Sequence, residues 1–464
     1  MIKKISKFIS GMMIGAHLLF LSSCEELTNI NMPIDELTTD AVFADSLTIR
    51  SAINGLYSYN VQLSGFGYLI PRYITVVSDD AFHNIISNAE YNENSYGPAS
   101  SVIGVFWEYA YKSIYSTNSL ITRLGETTVI SEQEAQLGIA QAKYFRAYCY
   151  WFLVNCFGDV PLVLSTDYKE TAIQPRESTD AVYQQIVEDL IYAESVMGRS
   201  SNDNTKVTEA AAKALLARTY LYMGRWSDAE AKANDVITKY GFKLEPLSGV
   251  FLRSSKETIF KGVRDFSSYM GCTYWGYFCS IRNYGYLRPQ LLDAFEQDDN
   301  RKTEWTLERT AAADKLPDGT MPIRNYKYKQ ATSPTDGTWA EDYVLLRLGE
   351  QYLIRAEARA QQGLLTGAIE DLNVIRKRAG LDALPDNLTK EQVLLAVEQE
   401  RRIELFMEEA HRWFDLKRTD RIDFFMNMIP EKKWSPHKAL FPIPEKEITR
   451  NYRLTPNPGY GNIN

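Results

Sequence analysis

Ala214-Leu215-Leu216-Ala217-Arg218-Thr219-Tyr220-Leu221-Tyr222-Met223-Gly224-Arg225-Trp226 reads as a helix, a turn and the start of a second helix. The pattern extends from Thr208 to Thr238, with Ala229, Ala233 and Val236 at helical spacing. It returns at an offset of 139 between Asp342 and Gly380. There Ala356, Gly363, Ala368, Leu372 and Ile375 stand against Ala217, Gly224, Ala229, Ala233 and Val236. Small alanines let paired helices approach closely, and a glycine at the same place in both copies permits a sharp turn.

The two segments resemble tetratricopeptide helix pairs. They are not tandem, because residues 239–341 intervene, so an ordinary solenoid is not expected. Further helices are read at Ser46–Tyr59, Phe106–Leu124, Ile139–Phe157 and Asp180–Met197. The third stops at Gly158, with Pro161 beyond it. The intervening region differs in kind. Glu257-Thr258-Ile259-Phe260 reads as a strand, and Asp298-Asp299-Asn300-Arg301-Lys302 and Asp318-Gly319 read as turns. Residues 60–105 are also irregular, and Phe441-Pro442-Ile443-Pro444 and Asn457-Pro458-Gly459-Tyr460 cannot be helix interior. The expected fold is mostly α. Helix pairs form a scaffold over about 38–239 and 342–430, a loop-rich insertion over 240–341 makes an irregular face, and residues 431–464 are extended.

At the N-terminus, Lys3, Lys4 and Lys7 precede a mostly apolar run from Phe8 to Leu21, followed by Ser22, Ser23 and Cys24. A basic start, a short apolar core and small residues before the cut predict a secretory signal over 1–23. Leu21-Ser22-Ser23-Cys24 resembles the bacterial lipobox, which implies a lipidated Cys24 and a tether over 24–37. Stable anchorage by acyl chains takes more than one chain. No later apolar run reaches about 18 residues, so no transmembrane helix is expected. Removing residues 1–23 takes away three lysines and no acids, so the net charge of −8 becomes about −11. That balance makes no electrostatic case for nucleic acid. Twenty-nine tyrosines suit either a sugar- or protein-binding surface or a large helical core. Cys149 and Cys156 are about 10 Å apart along one helix, too far for a disulfide. Cys272 and Cys279 lie in a Gly/Tyr-rich loop and could pair. No cysteine has zinc-type spacing.

Glu400-Arg401-Arg402-Ile403-Glu404-Leu405-Phe406-Met407-Glu408-Glu409-Ala410-His411-Arg412-Trp413-Phe414-Asp415-Leu416-Lys417-Arg418 resembles the SusD/RagB family of Bacteroidetes nutrient-uptake lipoproteins. Four other pieces agree, in the family's order. They are Phe157-Gly158-Asp159-Val160-Pro161-Leu162, Asp342-Tyr343-Val344-Leu345-Leu346-Arg347-Leu348-Gly349-Glu350, Pro442-Ile443-Pro444 and Asn457-Pro458-Gly459-Tyr460. With the lipobox, the resemblance covers essentially the whole chain. It implies a lid over a SusC-like, TonB-dependent barrel that captures a nutrient without chemistry. Glycan is the commonest assignment in the family, and peptides or glycopeptides occur. Glu25-Glu26 after Cys24 resembles the acidic patch associated with display on the outer face of the outer membrane.

The chemistry-bearing patterns are few. Glu408-x-x-His411 has di-metal spacing, but such sites need a second Glu-x-x-His and two further glutamates, so structural charge is expected. Glu398 with Arg402 and Glu408 with Arg412 are read as four-apart pairs, and Ile403, Phe406, Ala410, Trp413 and Phe414 as the buried stripe of one helix. A glycosidase needs two acids flanking a cleft, and nothing singles out such a pair beyond Asp79-Asp80. There is no Gly-x-Ser-x-Gly, His-Glu-x-x-His or phosphate loop. No catalytic residue, metal or cofactor is expected. Sugar binding needs aromatic faces and planar polar groups, which two stretches supply. One offers Asp79, Asp80, His83 and Asn84, in a segment that resembles the family's acidic segment. The other offers Tyr274, Trp275, Tyr277, Arg282 and Asn283. Trp107, Tyr144 and Trp151 are read as core.

Overall fold

The computed structural model describes residues 39–61, 73–83, 89–198, 203–262, 286–310, 315–316, 319–329 and 340–461. Two compact units divide between Ser51 and Ala52. The first holds α1 (Thr39–Phe43) and the opening turns of α2 (Ser46–Val61), where the Asp45 carboxylate accepts from the Leu47 N–H at 3.1 Å.

The second unit carries four of the expected helices in succession: α3 (Ser101–Glu126), α4 (Glu132–Phe157), α5 (Thr179–Met197) and α6 (Glu209–Tyr222), followed by α7 (Trp226–Lys239). α4 begins before the expected Ile139 because Ser131 caps it, accepting from the Glu134 N–H. Each helix packs on the next in chain order. From Tyr144 to Phe157 every residue of α4 but Asn155 is buried, so this half of the helix has no solvent face. Trp151 is fully buried on it, and its ring meets Phe414 edge-on at 5.3 Å. Trp107 and Tyr144 are core as well. Tyrosines follow suit: Tyr150 donates to the Val163 carbonyl and accepts from the Val163 N–H. Cys149 and Cys156 are free and buried.

Among the described residues, six short strands complete the frame: β1 (Ala81–Phe82), β2 (Thr258–Gly262), β3 (Tyr286–Leu287), β4 (Thr306–Glu308), β5 (Ile323–Asn325) and β6 (Tyr343–Arg347). β2 and β6 pair antiparallel, Gly262 opposite Tyr343 and Thr258 opposite Arg347. This ladder brings the start and end of the insertion together. The chain then runs into α8 (Leu348–Gln361), α9 (Leu365–Ala379) and α10 (Lys390–Leu405). α8 packs directly on α7, so the two helix pairs are neighbours although the insertion separates them in sequence. Their turns are made by Gly224 at φ 68° and Gly363 at φ 81°, where a side chain would be strained.

Three expectations need correction. The second helix pair opens with a strand: Tyr343–Arg347 is fully buried and β-paired, so its continuous apolar run serves a ladder. Asp298 to Lys302 is more than a turn. Asp299 caps a short helix, Asn300–Trp305, and Arg301 is buried. The quoted family stretch is not one helix. α10 ends at Leu405, Met407, Glu409 and Ala410 take positive φ, and α11 (His411–Arg418) restarts in a new direction. Its five stripe residues are nevertheless all buried.

Candidate functional site

The charges of residues 400–418 point inward. Arg347, at the end of β6, is 2% exposed. Its guanidinium donates to Glu408 (2.7 Å), to Glu257 (2.9 Å) and to Glu404 (2.6 Å), and to the Glu404 carbonyl (2.8 Å). Arg301 reaches Glu400 at 2.9 Å, and Arg378 bonds Glu257 and Glu404. Lys327 donates to the carbonyls of Glu404 (2.8 Å) and Phe406 (2.9 Å) and to Glu408 (2.6 Å), satisfying the end of α10 where the chain leaves the helix. Burial works to raise the Glu404 carboxyl, but Arg378, Arg347, Arg301 and Lys327 outweigh it and hold it well below the usual carboxylate range. Gly349 makes room, since a Cβ there would lie 2.4 Å from the Arg347 guanidinium. The expected Glu408–Arg412 and Glu398–Arg402 pairings give way to this arrangement. Glu408 belongs to Lys327 and Arg347, and Arg402 bonds Asp79 and Asp80.

Asp79 and Asp80 are taken up by the same kind of internal pairing. Both are buried. Arg412 forks onto Asp79 at 2.8 and 2.7 Å, and Arg402 spans Asp79 (3.0 Å) and Asp80 (2.9 Å). Burial raises the Asp79 carboxyl, but Arg412 and Arg402 prevail and keep it below its ordinary value. His83 is buried too. Its backbone N–H donates to the Asn92 side chain, which returns a bond to the His83 carbonyl. Asn84, Tyr274, Trp275, Tyr277, Arg282 and Asn283 lie outside the described residues, as do Cys24, Cys272 and Cys279.

Pairing across the sheet relates the two candidate stretches. The four-stranded sheet runs β1-β3-β5-β4, antiparallel throughout, with Phe82 opposite Tyr286. Ala81 stands opposite Leu287 in the same pairing. A cleft of about 600 Å³ adjoins this pair. Phe82, Leu287, Leu292 and Ile323 line it with apolar surface, and Asn92, Arg288 and Glu431 contribute polar groups. The Phe82 ring lies 5.6 Å from the Tyr286 ring and 5.5 Å from the Arg288 guanidinium. Arg288 donates to the carbonyls of Ala81 (3.1 Å) and Asn92 (3.3 Å), with Glu431 at 3.8 Å. Next to Glu431, the buried Lys432 donates to Val77 O, Asn92 O and Asn94 Oδ1. Two cations thus hold the loop that presents Phe82.

The family described as "SusD family" matches residues 269–460, and the one described as "Starch-binding associating with outer membrane" matches residues 33–221. The chain belongs to the SusD/RagB family. SusD-like protein P2 of Formosa agariphila is 24% identical and aligns over 96% of this chain and 98% of its own length. A SusD-like carbohydrate binding protein from Bacteroides vulgatus superposes with a TM-score of 0.77 at 21% identity, covering 89% and 98% of the two chains. A laminarin binding SusD-like protein superposes with a TM-score of 0.74 at 23% identity, covering 90% and 100%. Among the described residues, no helix of this SusD-like chain is long and apolar enough to cross a membrane.

Sequence reasoning held Phe82 only within the stretch Ser78–Asn84, without singling it out, and overlooked Arg288 and Glu431, which belong to no spacing pattern. It also overlooked Glu409, a buried carboxyl that accepts from the hydroxyls of Tyr148 (3.0 Å) and Tyr343. Burial pushes it up to about 7, with Arg218 and the two hydroxyls opposing. A carboxyl raised in the folded state contributes stability that is full below its unfolded value of about 4.5 and is lost as pH rises through about 7. Glu409→Gln keeps an acceptor oxygen without the charge. It is expected to flatten the fall in Tm between pH 5 and 8, and to raise Tm at pH 8 by about 2 °C. Thermal unfolding across that range checks it, and parallel curves for the two proteins would contradict it.

Proposed function

We propose that this protein is a cell-surface lipoprotein that captures an oligosaccharide or polysaccharide and delivers it to a SusC-like, TonB-dependent outer-membrane barrel. The observation that carries the reading is the cleft beside Phe82 and Arg288. It combines an aromatic ring and apolar surface with a guanidinium, a carboxylate and an amide, the pairing of surfaces that a pyranose requires. The starch-binding description of the matched family and the laminarin-binding and carbohydrate-binding relatives support the same class of ligand. Asn84, Tyr274, Trp275, Tyr277, Arg282 and Asn283 are proposed to contribute to ligand binding. The reading is capture without catalysis. Asp79 and Asp80, the closest approach to an acid pair in the sequence, are committed to Arg402 and Arg412.

The test is affinity electrophoresis of soluble residues 25–464 through gels containing a panel of polysaccharides, with reducing ends assayed in parallel. Retardation in one gel without new reducing ends is expected, and would name the substrate class. Free passage through every gel would shift weight to a peptide ligand or a structural lid. Attachment is tested separately. Cys24→Ser is expected to release the protein from membranes entirely, because no other segment is proposed to anchor it. Membrane association unchanged after fractionation would remove the lipid anchor from this account.

A further inference from the structure

On the other side of the Arg402 and Arg412 guanidiniums lies a groove of about 500 Å³, formed by α8, α10, α11 and the start of α7. Nothing in the proposed capture site uses it. We infer that this groove is a second sugar-binding site, an inference that rests on the glycan-capture reading.

Three observations carry it. First, Arg401 is 2% exposed and lines the groove. Two of its nitrogens fork onto Asp415 at 2.8 and 3.0 Å, but its Nη1 is buried without an acceptor. Arg421, which also lines the groove, has its Nε buried without a hydrogen bond, with Glu398 at 3.6 Å. A buried donor with no acceptor is costly, and a side-chain shift that turned either nitrogen into the groove would let a ligand oxygen satisfy it. Second, the groove has the surfaces a sugar ring needs. The Trp226 indole and Leu394, Leu395 and Leu416 are apolar, while Glu398 and Glu391 are carboxylates able to accept from hydroxyls. Leu395 is 54% exposed although it lies against this cleft. Third, charge selects a neutral ligand over an anion. The five lining arginines are matched by four lining carboxylates and by Asp79 and Asp80, which bind two of them. The groove offers directed donors without an excess of positive charge. A neutral hydroxylated ring fits that better than a phosphate or an acidic peptide.

The two clefts lie on different elements, so a long polymer could engage both, and a short oligosaccharide only one. The full lipoprotein in detergent is titrated with laminarihexaose and run through laminarin and starch gels. The wild type is compared with Trp226→Ala, Leu395→Arg, Phe82→Ala and the Phe82→Ala/Trp226→Ala double variant. Trp226→Ala and the exposed-site variant Leu395→Arg are expected to reduce polymer retention at least threefold, with first-cleft hexaose affinity within twofold of wild type. Phe82→Ala is expected to keep weak retention that the double variant loses. Retention and stoichiometry unchanged in both groove variants would overturn the second site and leave the first cleft standing. Wild-type passage through both gels without retardation would overturn the groove as a site for these glucans, together with the glucan reading of the first cleft.

Discussion

Arg347→Met is expected to cost about 3–5 kcal/mol of folding stability. Methionine matches much of the stem's volume, so little of the loss would come from packing. The loss comes from Glu257, Glu404 and Glu408, all buried, which would remain facing one another with only Arg378, Arg301 and Lys327 to answer them. Arg347→Lys should recover part of the loss. It restores a charge but not the fork that reaches three carboxylates and a carbonyl. The double variant Arg347→Met/Glu404→Gln should be less destabilised than the sum of its parts, because one of the orphaned charges is gone. Urea unfolding of the wild type, the single variants Arg347→Met, Arg347→Lys and Glu404→Gln, and the double variant reads this directly. A loss below about 1 kcal/mol in Arg347→Met would mean that water reaches the cluster and screens it.

Phe82→Ala is the second large effect. Its ring is the aromatic surface that the described cleft presents, between the Tyr286 ring and the Arg288 guanidinium. Removing an aromatic anchor of a binding site commonly costs more than about 1.4 kcal/mol, which is tenfold in affinity. Hexaose affinity should therefore fall at least tenfold. Tm should move little, since Phe82 is only partly buried and its strand partner Tyr286 carries the core contact. Affinity unchanged by Phe82→Ala would move the capture site away from this cleft. Trp275→Ala and Tyr274→Ala would then become the informative variants.

The helical half of the fold was legible because its cause is local. Apolar spacing, the Ser131 cap and the glycines of the two helix turns all act within a few residues of the structure they produce. The strand at Thr258–Gly262 was legible for the same reason. Residues 400–418 were recognised as a family stretch, but their role was misread. Charges on a helix are ordinarily assigned to solvent or to a neighbour one turn away. Here Arg412 finds Asp79 at a separation of 333 residues and Glu409 finds Tyr148 at 261. No spacing rule reaches that far. The helix break after Leu405 was invisible as well, because Met407, Glu409 and Ala410 hold positive φ without a glycine to announce it. Lys327 draws the surrounding carbonyls and Glu408 toward itself from the insertion. The acidic segment at 79–80 was read as a ligand-binding candidate, and its carboxylates pair with Arg402 and Arg412 inside the fold.

The charge cluster around Arg347 also imposes an order on assembly. Its members come from the start of β2, the insertion, the end of β6, α9 and α10 with the turn that follows it. Each of these groups is better off in water until the last partner arrives, since a lone buried charge is costly. Partial docking therefore gains little, and the cluster is expected to close cooperatively. It behaves as a logical AND over five segments. A chain that has not yet brought all five together keeps these charged groups in water.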